Sequence, residues 1–266
     1  MSRAIISSPA NGKIKQLQKL REKAAFRKRE GVYLLEGKKS IREASPGSLR
    51  EVYHTQEFQE REGHWLEALR EAGVPCQPVS EAVFRKISEE NTPSGVLAVV
   101  RTSTTALEEL DLEGNPLLVA LERIQDPGNL GTVIRTAHAA GARAVLVSKE
   151  SADIHHPKAL KSTMGSIGRI PVVQDLDLGE ALEFLRERGV ATWAAALEDS
   201  EDLFGADLSG KVCILVGNEG RGISRELLEA AQGRVRIPMP GGAESLNAAV
   251  AASVLLYEAL RQRRQP

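Results

Sequence analysis

Three spacings of apolar residues divide this chain. In "KIKQLQKLREKAAFRKRE", Ile14, Leu17, Leu20 and Ala24 recur at helical spacing while Lys13, Lys15, Lys19 and Lys23 take the other faces, which predicts an amphipathic helix with a cationic exterior. Short β-type runs follow, "VYLLEG", "EVYHT", "PCQPVS" and "GVLAVV". Helical patterns near 38–44, 58–72 and 80–88 separate them, so residues 1–100 read as a small α/β domain. The stretch "RTSTTALEELDLEGNP" is polar, turn-rich and without a large apolar face, and residues 101–113 are taken from it as a linker. Beyond it the pattern changes. "LLVAL", "AVLVS", "IPVVQ", "ATWAAAL" and "VCILVG" are apolar almost throughout and alternate with helices, which predicts a parallel sheet covered on both faces over residues 114–266. Near the end, "AAVAASVLLYEAL" is small or apolar nearly all round, the pattern of a helix buried on several faces.

Composition narrows the class. The 266 residues are 42% hydrophobic, enough for a substantial core, and no apolar run approaches the roughly 20 residues of a membrane span. The N-terminus lacks the apolar core of a secretion signal, so the expected location is the cytoplasm and no membrane partner is expected. Cys76 and Cys213 are far apart, and His155 and His156 are adjacent before Pro157 as in a loop, so neither a disulfide framework nor a metal site is indicated. Charge is uneven. Residues 1–50 carry 13 Lys and Arg against 4 Glu, a net of +9; with −1 for the whole chain this leaves −10 for the rest. A phosphate partner would suit that basic segment, although such a run can also be a solvated face.

Three loops after the apolar strands hold candidate chemistry. In "LERIQDPGNLGTVIRTAHAAGARAVLV" the strand 117–121 leads through a loop into a helix that Gly141 ends. Arg135 lies there among Val133, Ile134, Ala137, Ala139 and Ala140, which predicts a guanidinium near buried surface that needs a partner; a snorkelling arginine is the alternative. "ILVGNEGRGIS" sets three glycines and Glu219 between a buried strand and a helix beginning near Ser224. Its spacing is not GxGxxG and no GKS or GKT follows, so neither a dinucleotide fingerprint nor a P-loop is present. "IPMPGGAESLNAAVAAS", residues 237–253, reads as a strand end, a tight loop and an Ala-rich helix, with Ser245 or Asn247 available as its cap. In an open α/β sheet all three loops can converge at the carboxyl ends of the strands.

These motifs carry a resemblance. "DPGNLGTVIRTAHAAGA", "LVGNEGRGIS" and "IPMPGGAESLNAAVAAS" resemble, in order and spacing, the three motifs of the SpoU (TrmH) class of RNA ribose methyltransferases in the SPOUT superfamily. "STMGSIGRIPVV" fits the same family, and "NGKIKQLQKL" with "YLLEGKKSIREA" is similar to its L30e-like substrate-binding domain. The resemblance implies an α/β protein with a C-terminal trefoil-knotted methyltransferase domain built on a parallel sheet. It implies S-adenosylmethionine as cofactor, held by backbone beside Gly217, Ile237 and Leu246, and methylation of a ribose 2′-hydroxyl in RNA. Asn129, Arg135, Glu219, Ser245 and Asn247 would be the catalytic set, with Asn129 and Glu219 orienting Arg135 and the ribose. Arg135 would activate the hydroxyl, either as a base or as a cation bonding the neighbouring phosphate and the developing alkoxide; both stay open. Lys13, Lys15, Lys19 and Lys38 are the candidate RNA contacts. A homodimer through the knotted domain is implied, with 23S ribosomal RNA favoured over transfer RNA. A non-catalytic RNA-binding or ribosome-assembly protein and a base methyltransferase are the rivals; the five polar motif residues together speak against the first, and the arginine-bearing first motif with "SLN" against the second.

Overall fold

The N-terminal apolar spacing folds as helix α1 (Gly12–Glu22), whose first turn is capped by the Asn11 side chain accepting from Lys13 N, and it buries Ile14, Leu17 and Leu20. The expected helix does not continue to Ala24. Lys23 takes an extended conformation and a second helix, α2 (Ala24–Glu30), starts there. Arg27 explains the break: its guanidinium is buried and donates to the carbonyls of Leu20 (2.6 Å) and Arg21 (2.8 Å), serving groups that a helix end leaves unpaired.

The computed structural model describes residues 4–44, 46–103 and 105–264. Two compact units divide the chain, Met1–Ser103 with His155–Leu160, and Thr104–Ile154 with Lys161–Pro266. In the first, β1 (Val32–Glu36), α3 (Lys38–Glu43), β2 (Leu49–His54), α4 (Gln56–Glu71), β3 (Cys76–Pro78), α5 (Glu81–Ile87) and β4 (Val96–Arg101) follow α2. Their sheet has the order β1-β4-β2-β3, antiparallel except for the β2–β3 pair. Ile14, Leu17 and Leu20 of α1 pack with Val83, Phe84 and Ile87 of α5 and with Leu97 and Val99 of β4.

The second unit runs β5 (Leu117–Leu121), α6 (Pro127–Ala139), β6 (Ala144–Ser148), α7 (Pro157–Thr163, part of which falls in the first unit), β7 (Val172–Leu176), α8 (Leu178–Glu187), β8 (Ala191–Ala195), β9 (Glu201–Asp202), β10 (Val212–Val216), α9 (Arg225–Ala230), β11 (Gly233–Arg236) and α10 (Ala248–Arg263). All seven strands are parallel, in the order β7-β6-β5-β10-β8-β11-β9. Strand alternation explains the apolar runs. Leu117, Val119 and Leu121 of β5 face a layer formed by α6 and α10, whereas Leu118 and Ala120 face α8 and α9. Leu107, Leu110 and Leu112, from the stretch expected to be a linker, are buried in that second layer.

The chain order matters for function. β5, β6 and β7 step towards one edge, the chain crosses to β8, and β10 then enters between β5 and β8. Such a reversal opens a crevice at the carboxyl ends of the strands, where the loops after β5, β8, β10 and β11 meet.

Candidate active site

At the end of β5, Glu122 is 4% exposed; it accepts from Ser224 N (2.8 Å) and pairs with the Arg123 guanidinium. Asp126 then caps α6 by accepting from Asn129 N (2.9 Å), with Pro127 in the first helical turn, and this fixes Asn129 at the mouth of the crevice. After β10 the chain closes a tight hairpin. Asn218 and Gly222 exchange backbone hydrogen bonds (3.0 and 2.9 Å), and the Asn218 side-chain oxygen accepts from the amides of Gly220 and Arg221 (3.0 Å each). A Cβ on Gly217 would lie 2.3 Å from the carbonyl carbon of Gly222, so only glycine admits this closure.

The hairpin aims Glu219 at the start of α6. Its Oε2 accepts from Gln125 N (3.1 Å), and its Oε1 accepts from Asp126 N (3.2 Å) and Asn129 Nδ2 (3.0 Å). Burial opposes the charge, but the hydrogen bonds from Asn129, Gln125 and Asp126 outweigh it and hold the carboxyl below its ordinary value. Asn247 completes the junction: its Oδ1 caps α10 by accepting from Ala249 N (2.9 Å) and Val250 N (3.3 Å), and its Nδ2 donates to Asn129 Oδ1 (3.0 Å). Three loops far apart in sequence are thereby tied into one polar line, Glu219–Asn129–Asn247. Each amide orientation along it is fixed by its neighbours.

Beside this line lies a cleft of about 490 Å³. Gly217, Ile237 and Leu246 all line it, as do Ser245 and Glu219. Its remaining walls are largely small or apolar, including Ala195, Val216 and Ala251. Ser245 is exposed at the rim and is not the helix cap, a position Asn247 takes.

One expectation changes. Arg135 is exposed on α6 and makes no hydrogen bond or ion pair among the described residues, so the buried partner expected for it is absent and Asn129 and Glu219 do not hold it. The reason is helical phase: Val133, Ile134 and Ala137 turn inwards, and Arg135 falls between them on the open face. Among the lysines, Lys13 pairs with Glu51 (2.6 Å) and Lys38 with Glu62 (2.5 Å), Lys19 lies 5.8 Å from the Phe26 ring centroid, and Lys15 is exposed without a partner among the described residues. The supporting roles of Arg123, Gln125 and Asn218 escape sequence reasoning, because they depend on turns that only the folded backbone shows. The Asp-Pro pair at 126–127 is the one available signal, as the start of a helix.

Among the described residues no group of His, Cys, Asp and Glu is placed to hold a metal ion, and no helix is long and apolar enough to cross a membrane. Residues 116–257 match the SpoU rRNA methylase family, and residues 11–98 match an MRM3-like substrate binding domain. The chain is 35% identical over 254 residues to the 23S rRNA (guanosine(2553)-2′-O)-methyltransferase RlmP of Bacillus subtilis, covering 95% of this chain and 97% of that one. It is 36% identical over 221 residues to the 23S rRNA (guanosine-2′-O-)-methyltransferase RlmB of Ralstonia nicotianae, covering 81% and 89%. The AdoMet-bound rRNA methyltransferase of Sinorhizobium meliloti superposes with a TM-score of 0.86 at 30% identity, covering 97% of both chains. With a strand order that opens a crevice and a polar line tying its three motif loops together there, this chain belongs to the SpoU rRNA methylase family.

Proposed function

We propose that the chain methylates a ribose 2′-hydroxyl of 23S ribosomal RNA with S-adenosylmethionine as donor. The observation that carries this is the polar line Glu219–Asn129–Asn247 set beside a cleft lined by Gly217, Ile237 and Leu246. The cleft suits the cofactor. Its small and apolar walls can take a flat adenine and a thioether chain, and the closure of Gly217 on Gly222 brings loop backbone into its lining. When bound, that group supplies a methyl already activated by a positively charged sulfur.

The protein has to align a weak nucleophile and stabilise the charge that develops on it. Glu219 is an unsuitable base, since both of its oxygens are committed to Gln125, Asp126 and Asn129; it orders the loops instead. Asn129 and Asn247, locked by their mutual bond, and the rim hydroxyl of Ser245 offer the oriented polar surface for the ribose. Arg135 is exposed on α6 without a hydrogen-bond or ion-pair partner among the described residues, and a guanidinium offers a planar fork of donors. Its role in this reading is to bond the phosphate next to the target and the developing alkoxide: the ribose oxygen takes the methyl from sulfur, leaving a neutral thioether, and the hydroxyl proton passes to solvent water.

The reading extends to a homodimer, supported by α10: Val250, Val254 and Tyr257 recur at helical spacing, and Val250 and Tyr257 are 48% and 50% exposed on a helix whose other faces are buried. It extends also to the family's trefoil knot, supported by the late entry of β10 between β5 and β8 and by the packing of the last helix on α6. The basic first domain would hold the RNA and the site of action would be the cytoplasm. Calorimetry with S-adenosylhomocysteine, then mapping of 2′-O-methyl groups on an unmodified 23S rRNA transcript, tests the proposal. Binding and a ribose methyl on that RNA are expected; absence of binding, methylation of a base, or exclusive methylation of transfer RNA would overturn it.

A further inference from the structure

A second cleft, of about 580 Å³, shares Asn218, Arg221 and Gly222 with the first and is otherwise walled by Arg123, Gln125, Glu150 and Ser224. Part of this wall is built to stay still. Gln125 Nε2 donates to the carbonyls of Arg123 (3.0 Å) and Glu150 (2.7 Å), Asn218 Nδ2 donates to Arg123 O (2.7 Å), and Arg123 N donates to Ser148 Oγ (2.8 Å). The Arg123 guanidinium is fixed by the buried Glu122. Arg123 and Glu150 both hold left-handed backbone conformations (φ +49° and +64°), two of the five non-glycine residues that do so among those described, and such strain persists where the surroundings enforce it.

Other groups in the same wall keep hydrogen-bonding positions open. The Glu150 carboxylate, the Arg221 guanidinium and the Ser224 hydroxyl make no hydrogen bond or ion pair among the described residues, while Glu150 acts on Arg123 through its charge. The cleft therefore presents a carboxylate with open acceptor positions beside guanidinium donors. A simple phosphate site has no use for the carboxylate, which would repel it. A nucleobase edge needs both signs. Only guanine offers two parallel donors, N1–H and the N2 amine, that a carboxylate can accept side by side, with O6 next to them as an acceptor for a guanidinium. The cleft also adjoins the polar line, because Gln125 contributes its side chain here and its backbone N–H to Glu219.

We propose that this cleft reads the guanine base of a nucleotide in the RNA substrate, Glu150 accepting from N1–H and N2–H and Arg123 or Arg221 donating to O6. This rests on the reading of the chain as an RNA methyltransferase, and it adds a specificity residue, Glu150, that lies outside the three motifs. The test titrates the full chain with the 5′-monophosphates of guanosine, inosine, adenosine, cytidine and uridine, with and without S-adenosylhomocysteine, which keeps purines out of the first cleft. Guanosine monophosphate should bind about tenfold more tightly than the adenosine, cytidine and uridine nucleotides. Inosine monophosphate, lacking the amine, should lose most of that margin, and Glu150→Gln should erase it while leaving S-adenosylhomocysteine affinity unchanged. Equal affinity for all five nucleotides, the mark of a phosphate site, would overturn the proposal, as would a guanosine preference that survives Glu150→Ala. The two readings fail separately: loss of S-adenosylhomocysteine binding with the guanosine preference intact removes the methyltransferase reading, and the reverse result removes this one.

Discussion

Replacing Gly217 by alanine isolates the closure of the loop after β10. The new Cβ would sit 2.3 Å from Gly222 C, 2.4 Å from Ile223 N and 2.5 Å from Gly222 O, all of them backbone atoms that cannot swing away. Restoring an ordinary 3.4 Å contact requires a retreat of about 1 Å by the Gly222 strand. That retreat would stretch the paired hydrogen bonds between Asn218 and Gly222, now 2.9 and 3.0 Å, past useful length. Two such bonds at about 0.5–1.5 kcal/mol each, with roughly 1–3 kcal/mol for overpacking, give a loss of about 2–6 kcal/mol if the loop stays closed. If it opens instead, the cost appears as lost ligand affinity and a misplaced Glu219. Gly220→Ala is the control, because its Cβ would meet only Asn218 Oδ1 at 3.7 Å and should change stability by less than about 0.5 kcal/mol. Urea denaturation and calorimetry with S-adenosylhomocysteine on both variants give the measurement. A Gly217→Ala protein matching Gly220→Ala in both would refute the steric argument.

Four further outcomes are expected. Arg135→Ala should leave stability within about 0.5 kcal/mol, since the side chain is exposed and has no partner among the described residues, but lower methyl transfer at least about a hundredfold, with little rescue by Lys; near-normal turnover at saturating RNA would make it a surface residue only. Asn247→Asp should keep the cap of α10 yet lose the donor to Asn129, so activity falls while unfolding temperature holds, whereas Asn247→Ala should lose both, at about 1 kcal/mol for the cap. Because the Glu219 carboxyl is held below its ordinary 4.5, its contribution to stability is complete above that value and is lost as pH falls through the lower folded value; the gap in unfolding temperature between wild type and Glu219→Gln should therefore narrow below pH 4.5, and a constant gap would contradict the assignment. Lys15→Gln should flatten the salt dependence of RNA affinity more than Lys13→Gln, whose ammonium already pairs with Glu51, and equal slopes for these and the wild type would show a merely solvated face.

Much of the second unit was legible because strands buried on both faces leave runs such as "LLVAL" and "VCILVG" that little else produces. Of β11 only the end was, through the Pro- and Gly-rich turn that follows it: in "GRVR" only Val235 is buried, so no apolar run marks its body. β9 is two residues long. The polar stretch at 101–113 hid three core leucines because they are spaced two and three apart over one short 3-10 turn and the extended backbone after it, too short a run for periodicity to advertise a face. Among site residues, the motif loops could be picked out, yet the bonds between them could not, since Glu219 and Asn129 are 90 positions apart. Counting charges likewise cannot show that Glu51 and Glu62, outside the basic segment, fold back onto Lys13 and Lys38.

The position of β10 sets a timetable for synthesis. β5 gains its neighbour β6 soon after it leaves the ribosome, but its other edge waits for a strand that begins at Val212. At roughly 5–20 residues per second the intervening chain of about 90 residues takes some 5–18 s to make. During that interval a row of unpaired N–H and C=O groups, flanked by Leu118 and Val119, stands open in what becomes the middle of the sheet. A transcript truncated before β10 would therefore yield an open-edged, aggregation-prone chain rather than a smaller working enzyme, and yield of the intact protein should rise when translation is fast relative to chain association, as at low expression level.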